Sequence, residues 1–199
     1  MRNAEATKER ILEAALAEFS AHGIAGARVD RIARAARCNK NLIYIYFTDK
    51  ETLFTTVLTK HLMRIHEEQP FTPDDLPGYA AKVFDWAMAN PDLMRLVAWS
   101  ALEKAKGPDE RGTTLEAKLA ALAEAQHAGR VGTTFPPHFL LIAVLSLATA
   151  WSVASPFGPS LNPKAAERLD ALRENLIEAV RLLANAGKGA RAQGRSKKR

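Results

Sequence analysis

A chain of 199 residues, 47% of them hydrophobic and 25% charged, can bury one substantial core beside a small domain, and nothing in its length calls for two large ones. Its formal net charge of +6 is uneven: residues 1–50 hold nine Lys and Arg against six Asp and Glu, residues 51–186 hold 13 against 16, and residues 187–199 hold six with no acid. This excludes a nucleic-acid surface spread over the whole molecule, and a single cysteine, Cys38, excludes an intrachain disulfide and suits a reducing cytoplasm.

The apolar spacing predicts a first helix from Glu5 to His22, with Ile11, Leu12, Ala15, Leu16 and Phe19 on one buried stripe and Lys8, Arg10, Glu13 and Glu18 largely outside it. Gly23 stops it. A second helix, Asp30 to Ala36, turns Ile32, Ala33 and Ala36 to one side, and Asp30 suits its positive end. A third starts near Asn39, whose side chain can accept from backbone N–H groups two or three residues on, with Ile43 and Phe47 facing the core. A capping box at Thr48 and Glu51 predicts the start of a fourth. Short helices joined by a tight turn, with polar side chains suited to phosphates and base edges, are what a helix-turn-helix needs.

Ile11, Ala14 and Ala15, Phe19, Gly23, Val29 with Ile32 and Ala33, then Tyr44, Tyr46 with Phe47, and Lys50 stand in an order that resembles the DNA-binding domain of the TetR family of one-component transcriptional regulators. The resemblance covers roughly a quarter of the chain. It departs at Arg37, where the family usually has the turn glycine, at Arg28, where a Ser or Thr usually caps the second helix, and at Leu42, which replaces a small polar residue. Either arginine can reach phosphate. The resemblance implies phosphate contacts from Tyr44, Tyr46 and Lys50. Lys40 and Asn41 are the candidate base readers, because lysine donates to guanine O6 and N7 and asparagine pairs with adenine N6 and N7; Leu42 and Ile45 can touch a thymine methyl.

Beyond Phe54 the punctuation by proline and glycine predicts helices near residues 49–67, 74–89, 91–106, 113–128, 137–155 and 163–186. The apolar run from Phe139 to Ala154 is too short to span a bilayer and is bracketed by prolines, so it reads as a buried bundle helix. Leu172, Leu176, Val180 and Leu183 recur at steps of three and four, a seam that wants a partner helix and is the expected site of homodimerisation. Trp86, Trp99 and Trp151 can line a cavity for a mainly apolar small molecule, with His61, Glu103, Ser146 and Thr149 as polar anchors.

The expectation is therefore an all-α protein: a helix-turn-helix DNA-binding domain over residues 1–50, a helical effector-binding and dimerisation domain over 51–186, and a basic tail over 187–199 expected to lack order. Its partners are an operator duplex, a second copy and an unidentified effector. No cofactor or metal is implied, the compartment is the cytoplasm, and repression relieved by a ligand is the family tendency. The competing class is a helical small-molecule-binding protein or enzyme with no specific DNA binding. It lacks support from any phosphate loop or nucleophile paired with a base.

Overall fold

A computed structural model describes residues 2–103, 109–164 and 168–188, and all their regular structure is helical. The elements in order are α1 (Arg2–Gly26), α2 (Val29–Ala35), α3 (Lys40–Phe47), α4 (Lys50–Glu68), a 3-10 turn (Pro73–Asp75), α5 (Leu76–Ala89), α6 (Pro91–Leu102), α7 (Asp109–His127), α8 (Pro137–Thr149), the short α9 (Gly158–Leu161) and α10 (Leu169–Asn185). They form two compact units, residues 1–68 with 90–108, and residues 69–89 with 109–199.

The first unit is built around α1, against which α2, α4 and α6 pack. Ile11, Ala15 and Phe19 of α1 are fully buried, as the stripe requires, together with Ile32 of α2 and Leu53 and Val57 of α4. Phe19 meets Phe54 edge to face, centroids 5.2 Å apart. The reading helices thus share a compact unit that runs past the boundary expected at residue 50 and takes in a helix from much further along the chain. At Gly23 α1 breaks: φ of 67° with ψ of −177° is a conformation that only glycine adopts without strain, so the chain turns there before its last short turn.

The second unit has an apolar core drawn from α5, α7, α8 and α10, including Phe84, Leu122, Leu140, Val144 and Val180. The Gln126 amide, buried inside it, donates to the carbonyls of Gly132 (2.7 Å) and Phe135 (2.8 Å), which fixes the loop before α8. The helices expected at 137–155 and 163–186 are shorter than the periodicity suggested. The apolar run ends as helix at Thr149 and continues in turns, and α10 begins at Leu169. Residues 104–108, 165–167 and 189–199, which include most of the basic tail, lie outside the described residues.

Candidate nucleic-acid interface

The turn between α2 and α3 is closed by a pair of backbone hydrogen bonds. Arg37 sits at φ 52°, its N–H donates to Arg34 O (3.2 Å) and the N–H of Cys38 reaches Ala33 O (3.0 Å), the doubled bond pattern that ends a helix when the residue after the cap turns left-handed. Glycine normally holds this place, and an arginine here accepts strain. Asn39 then caps α3 as expected, its Oδ1 accepting from the N–H of Asn41 at 2.9 Å. Ile43 and Phe47 are buried beneath the helix, while Asn41, Tyr44 (43% exposed) and Ile45 (74% exposed) face outward.

The start of α4 differs from expectation. Thr48 has φ 63° and ends α3; the cap is Asp49, whose Oδ1 accepts from the N–H of Thr52 at 2.6 Å. Thr48 cannot act as the cap because an N-cap residue needs extended backbone. Hydrogen bonds from the backbone N–H and side chain of Thr52 hold the Asp49 carboxyl below the ordinary carboxylate range.

Charged side chains, most of them from neighbouring helices, fasten this reading head at its backbone. Glu18 of α1 accepts from the N–H of Arg28 (2.9 Å) and from Nε of Arg31 (2.7 Å), and so caps α2 where Arg28 provides no side-chain cap of its own. Arg31 also donates to Gly26 O at 3.0 Å. Burial disfavours the Glu18 carboxylate, but the bonds from Arg31 and Arg28, with the nearby charges of Arg31 and His22, outweigh it and hold the carboxyl below its ordinary value. Arg10 donates to Ala36 O (3.3 Å), a cation at the negative end of α2. Burial pushes the Cys38 thiol up against the pull of Arg10, so Cys38 stays a neutral, partly buried thiol.

A further contact comes from α6. The Glu103 carboxylate receives the N–H groups of Ile24 and Ala25 at 3.1 Å, and the Trp99 indole N–H donates to Ser20 O at 3.3 Å. Gly23 lies against both: an added Cβ would stand 2.4 Å from Glu103 Oε1 and 3.0 Å from the Trp99 ring.

The expected DNA contacts divide accordingly. Arg28, Arg37, Asn41, Tyr44 and Ile45 are exposed, and Leu42 and Tyr46 are half-buried. Lys40 is engaged by Asp30, Nζ to Oδ1 2.9 Å, and that bond holds its ammonium pKa up. Lys50, expected on a phosphate, instead turns Nζ to the carbonyls of Ala25 (3.5 Å) and Ala27 (3.3 Å), because the chain end left by the Gly23 break offers acceptors there. Glu18 went unrecognised because its partners are 10 and 13 residues away across a bend, outside any helical spacing.

The expected ligand residues fall in both units. Trp99 and Glu103 hydrogen-bond to the backbone of α1, and half-buried His61 belongs to the same unit. Trp86, Ser146, Thr149 and Trp151 belong to the second unit, where Trp151 packs on the core, Thr149 donates to Leu145 O (2.9 Å) and Ser146 is exposed. The residues of the expected dimer seam lie along the core of the second unit. Leu176 and Val180 are buried in their own subunit's core because α10 lies along α5, and Leu172 and Leu183 are half-buried beside them.

Two short helices, α2 and α3, joined by a tight turn and packed in one unit with α1, define a helix-turn-helix DNA reader. Residues 11–57 match the bacterial regulatory proteins of the tetR family, and residues 75–181 match the tetracyclin repressor-like C-terminal domain. The chain is 39% identical over 185 residues to the HTH-type transcriptional repressor SCO4008 of Streptomyces coelicolor, covering 90% of this chain and 96% of that one. The crystal structure of the transcriptional regulator SCO4942, also from Streptomyces coelicolor, superposes with a TM-score of 0.78 at 38% identity, over 87% of this chain and 96% of that one. At 19% identity, FadR of Bacillus subtilis in complex with stearoyl-CoA shares the fold, with a TM-score of 0.61 over 88% of this chain and 97% of that one. The chain belongs to the TetR family: it is a ligand-responsive, DNA-binding transcriptional regulator, and the family is one of regulators and not of enzymes. No helix among the described residues is long and apolar enough to cross a membrane.

Proposed function

We propose that the chain is a repressor that reads a pseudo-palindromic operator as a homodimer through the outer face of α3, and leaves it when a small, mainly apolar molecule binds. The observation that carries the DNA contacts is the division of α3 itself. Ile43 and Phe47 hold it from beneath, and Asn41, Tyr44 and Ile45 stand outward, flanked by the exposed Arg28 and Arg37. In this reading Tyr44 and Tyr46 donate to phosphates, Arg28 and Arg37 bring charge to the backbone, Asn41 pairs with adenine, Ile45 meets a thymine methyl and Leu42 lines the groove. Lys40 reaches guanine by giving up Asp30, a small sacrifice for an exposed pair. The strain at Arg37 supports a role for its side chain, since glycine at that place would be better for folding alone. The 39% identity to a repressor supports repression.

Two copies suit the exposed apolar side chains of α8 and α10. Phe139 (49%) and Ile142 (61%) lie one turn apart on α8, and Leu182 (65%) lies on α10, which packs beside it. Symmetric dimers place two reading helices in successive major grooves about 34–36 Å apart. The effector's apolar character is supported by Trp86, Trp151 and Met88, half-buried aromatic and thioether groups in the second unit.

Selection of bound fragments from genomic DNA identifies the operator. On that duplex, Tyr44→Phe and Arg37→Ala are expected to lower affinity for all sequences, and Arg37→Ala, which removes a charge, also to flatten the salt dependence by about one unit of slope, whereas Asn41→Ala changes preference at one base pair. Unchanged affinity in both Tyr44→Phe and Arg37→Ala would overturn these contacts. Light scattering on Ile142→Asp is expected to give a folded monomer; an intact dimer rules out this face.

A further inference from the structure

Asp30 is the one acidic residue between Phe19 and Thr48, a stretch that holds both reading helices and carries Arg28, Arg31, Arg34, Arg37 and Lys40. A carboxylate in a segment that meets a polyanion works against binding. Its place in the first turn of α2 suits that helix's positive end. The same dipole makes Lys40 an odd choice, because it is the first residue of α3 and sets a cation at a positive helix end.

The two side chains account for each other. Nζ of Lys40 lies 2.9 Å from Oδ1 of Asp30 and 3.0 Å from Oδ2, across ten residues and the turn between the two helices. Both stand at the surface, Lys40 with 43% of its side chain exposed and Asp30 with 66%, so DNA that meets α3 can reach the pair. Such an exposed pair opens readily. What takes the place of the carboxylate then decides whether opening is favourable.

A phosphate would exchange one anion for another on the same ammonium and leave the freed carboxylate beside it, two like charges close together. Guanine offers Lys40 the acceptors O6 and N7 on an uncharged base, and the cytosine across the pair presents an amino donor that suits a carboxylate. We infer that Asp30 is a specificity-determining residue that acts through Lys40, keeping its ammonium from phosphates and reserving it for a G·C pair. This rests on the reading of α3 as the helix that meets the operator. Arg28, Arg34 and Arg37, which are exposed, supply charge to phosphates without such a guard.

The experiment compares the operator duplex from the genomic selection, its single-base variants and an unrelated duplex of equal length, all with the full-length protein. Asp30→Asn is expected to bind the unrelated duplex about tenfold more tightly and with a salt slope steeper by about two units, one phosphate gained in each half of a dimer. Affinity for operator should change by less than about threefold, so discrimination between the duplexes falls. Asp30→Glu, which keeps the charge, should retain discrimination close to the parent's. In a Lys40→Ala background, Asp30→Asn should leave the ratio of the two affinities unchanged, because a general loss of repulsion raises both alike. If Asp30→Asn melts early, Asp30→Ser carries the same expectation. Discrimination that survives removal of the carboxylate, or that falls equally without Lys40, overturns the inference. Guanine preference untouched by Lys40→Ala, or failure of the parent chain to retain operator, would instead overturn the functional reading.

Discussion

The two units of this regulator are held together by different chemistry. In the second, apolar packing dominates: Leu122, Leu140, Val144 and Val180 are fully buried, and the surface ion pairs Arg130 with Asp74 and Arg173 with Asp85 lie outside that core. In the first, the core around α1 carries α2 and α3, helices of seven and eight residues. Helices so short bury too little to fix their own geometry. Their ends are set by charged and polar side chains on backbone groups: Glu18 at Arg28, Arg10 at Ala36, Asp49 at Thr52, Lys50 at Ala25 and Ala27, Glu103 at Ile24 and Ala25. The helices that read DNA are thus located by directional bonds, and the body of the second unit is located by volume.

The largest effect is expected where volume rules. Leu140→Ala removes a fully buried side chain from the second unit and should cost about 2–5 kcal/mol. Chemical denaturation followed by hydrogen exchange should show α5, α7, α8 and α10 losing protection while α1 to α3 keep theirs. Equal loss in both units would erase the contrast. Glu18→Ala removes a nearly buried carboxylate (10% exposed) together with the cap of α2; it should cost about 1.5–3 kcal/mol and lower operator affinity, with the melting of the second unit unmoved. Gly23→Ala forces a side chain into a left-handed residue walled by Glu103 and Trp99 and should cost about 1–2 kcal/mol, read as faster exchange at Ile24 and Ala25.

Acid sharpens the same comparison. Glu18 and Asp49 have carboxyls held below their ordinary values, so what they add to the first unit is complete above the ordinary carboxylate range and disappears as pH falls through the lowered values. Below about pH 4, α2 to α4 are expected to lose exchange protection before the core of the second unit does; simultaneous loss counts against it. The smallest change is a gain. Arg37→Gly relieves the left-handed arginine and should stabilise the first unit by about 0.5–1 kcal/mol while weakening operator binding, and a variant that gains both would deny Arg37 its part in DNA contact.

How much of this was legible in the sequence follows from the range of the forces involved. The stripe of Ile11, Ala15 and Phe19, the stop at Gly23, the Asn39 cap and the buried Ile43 and Phe47 depend on residues within a turn or two, and local spacing reveals such relations. The same locality misplaced the cap of α4 by one residue, because Thr48 and Asp49 both suit an N-cap and backbone conformation chose between them. Periodicity showed that Leu176 and Val180 face something apolar, and it could not tell whether that was α5 of the same chain or a second copy. Lys50 and Lys40 are cations in a basic segment by composition; only packing turned one onto carbonyls and the other onto Asp30. Glu18 and Glu103 carried no local signal, since their partners are backbone amides whose exposure depends on where helices end in space. The sequence by itself determined which helices form, which faces they bury and the DNA-reading character of the N-terminal segment. The tertiary structure alone decided which polar groups meet, because hydrogen bonds act over about 3 Å and only folding brings residues 78 positions apart within that reach.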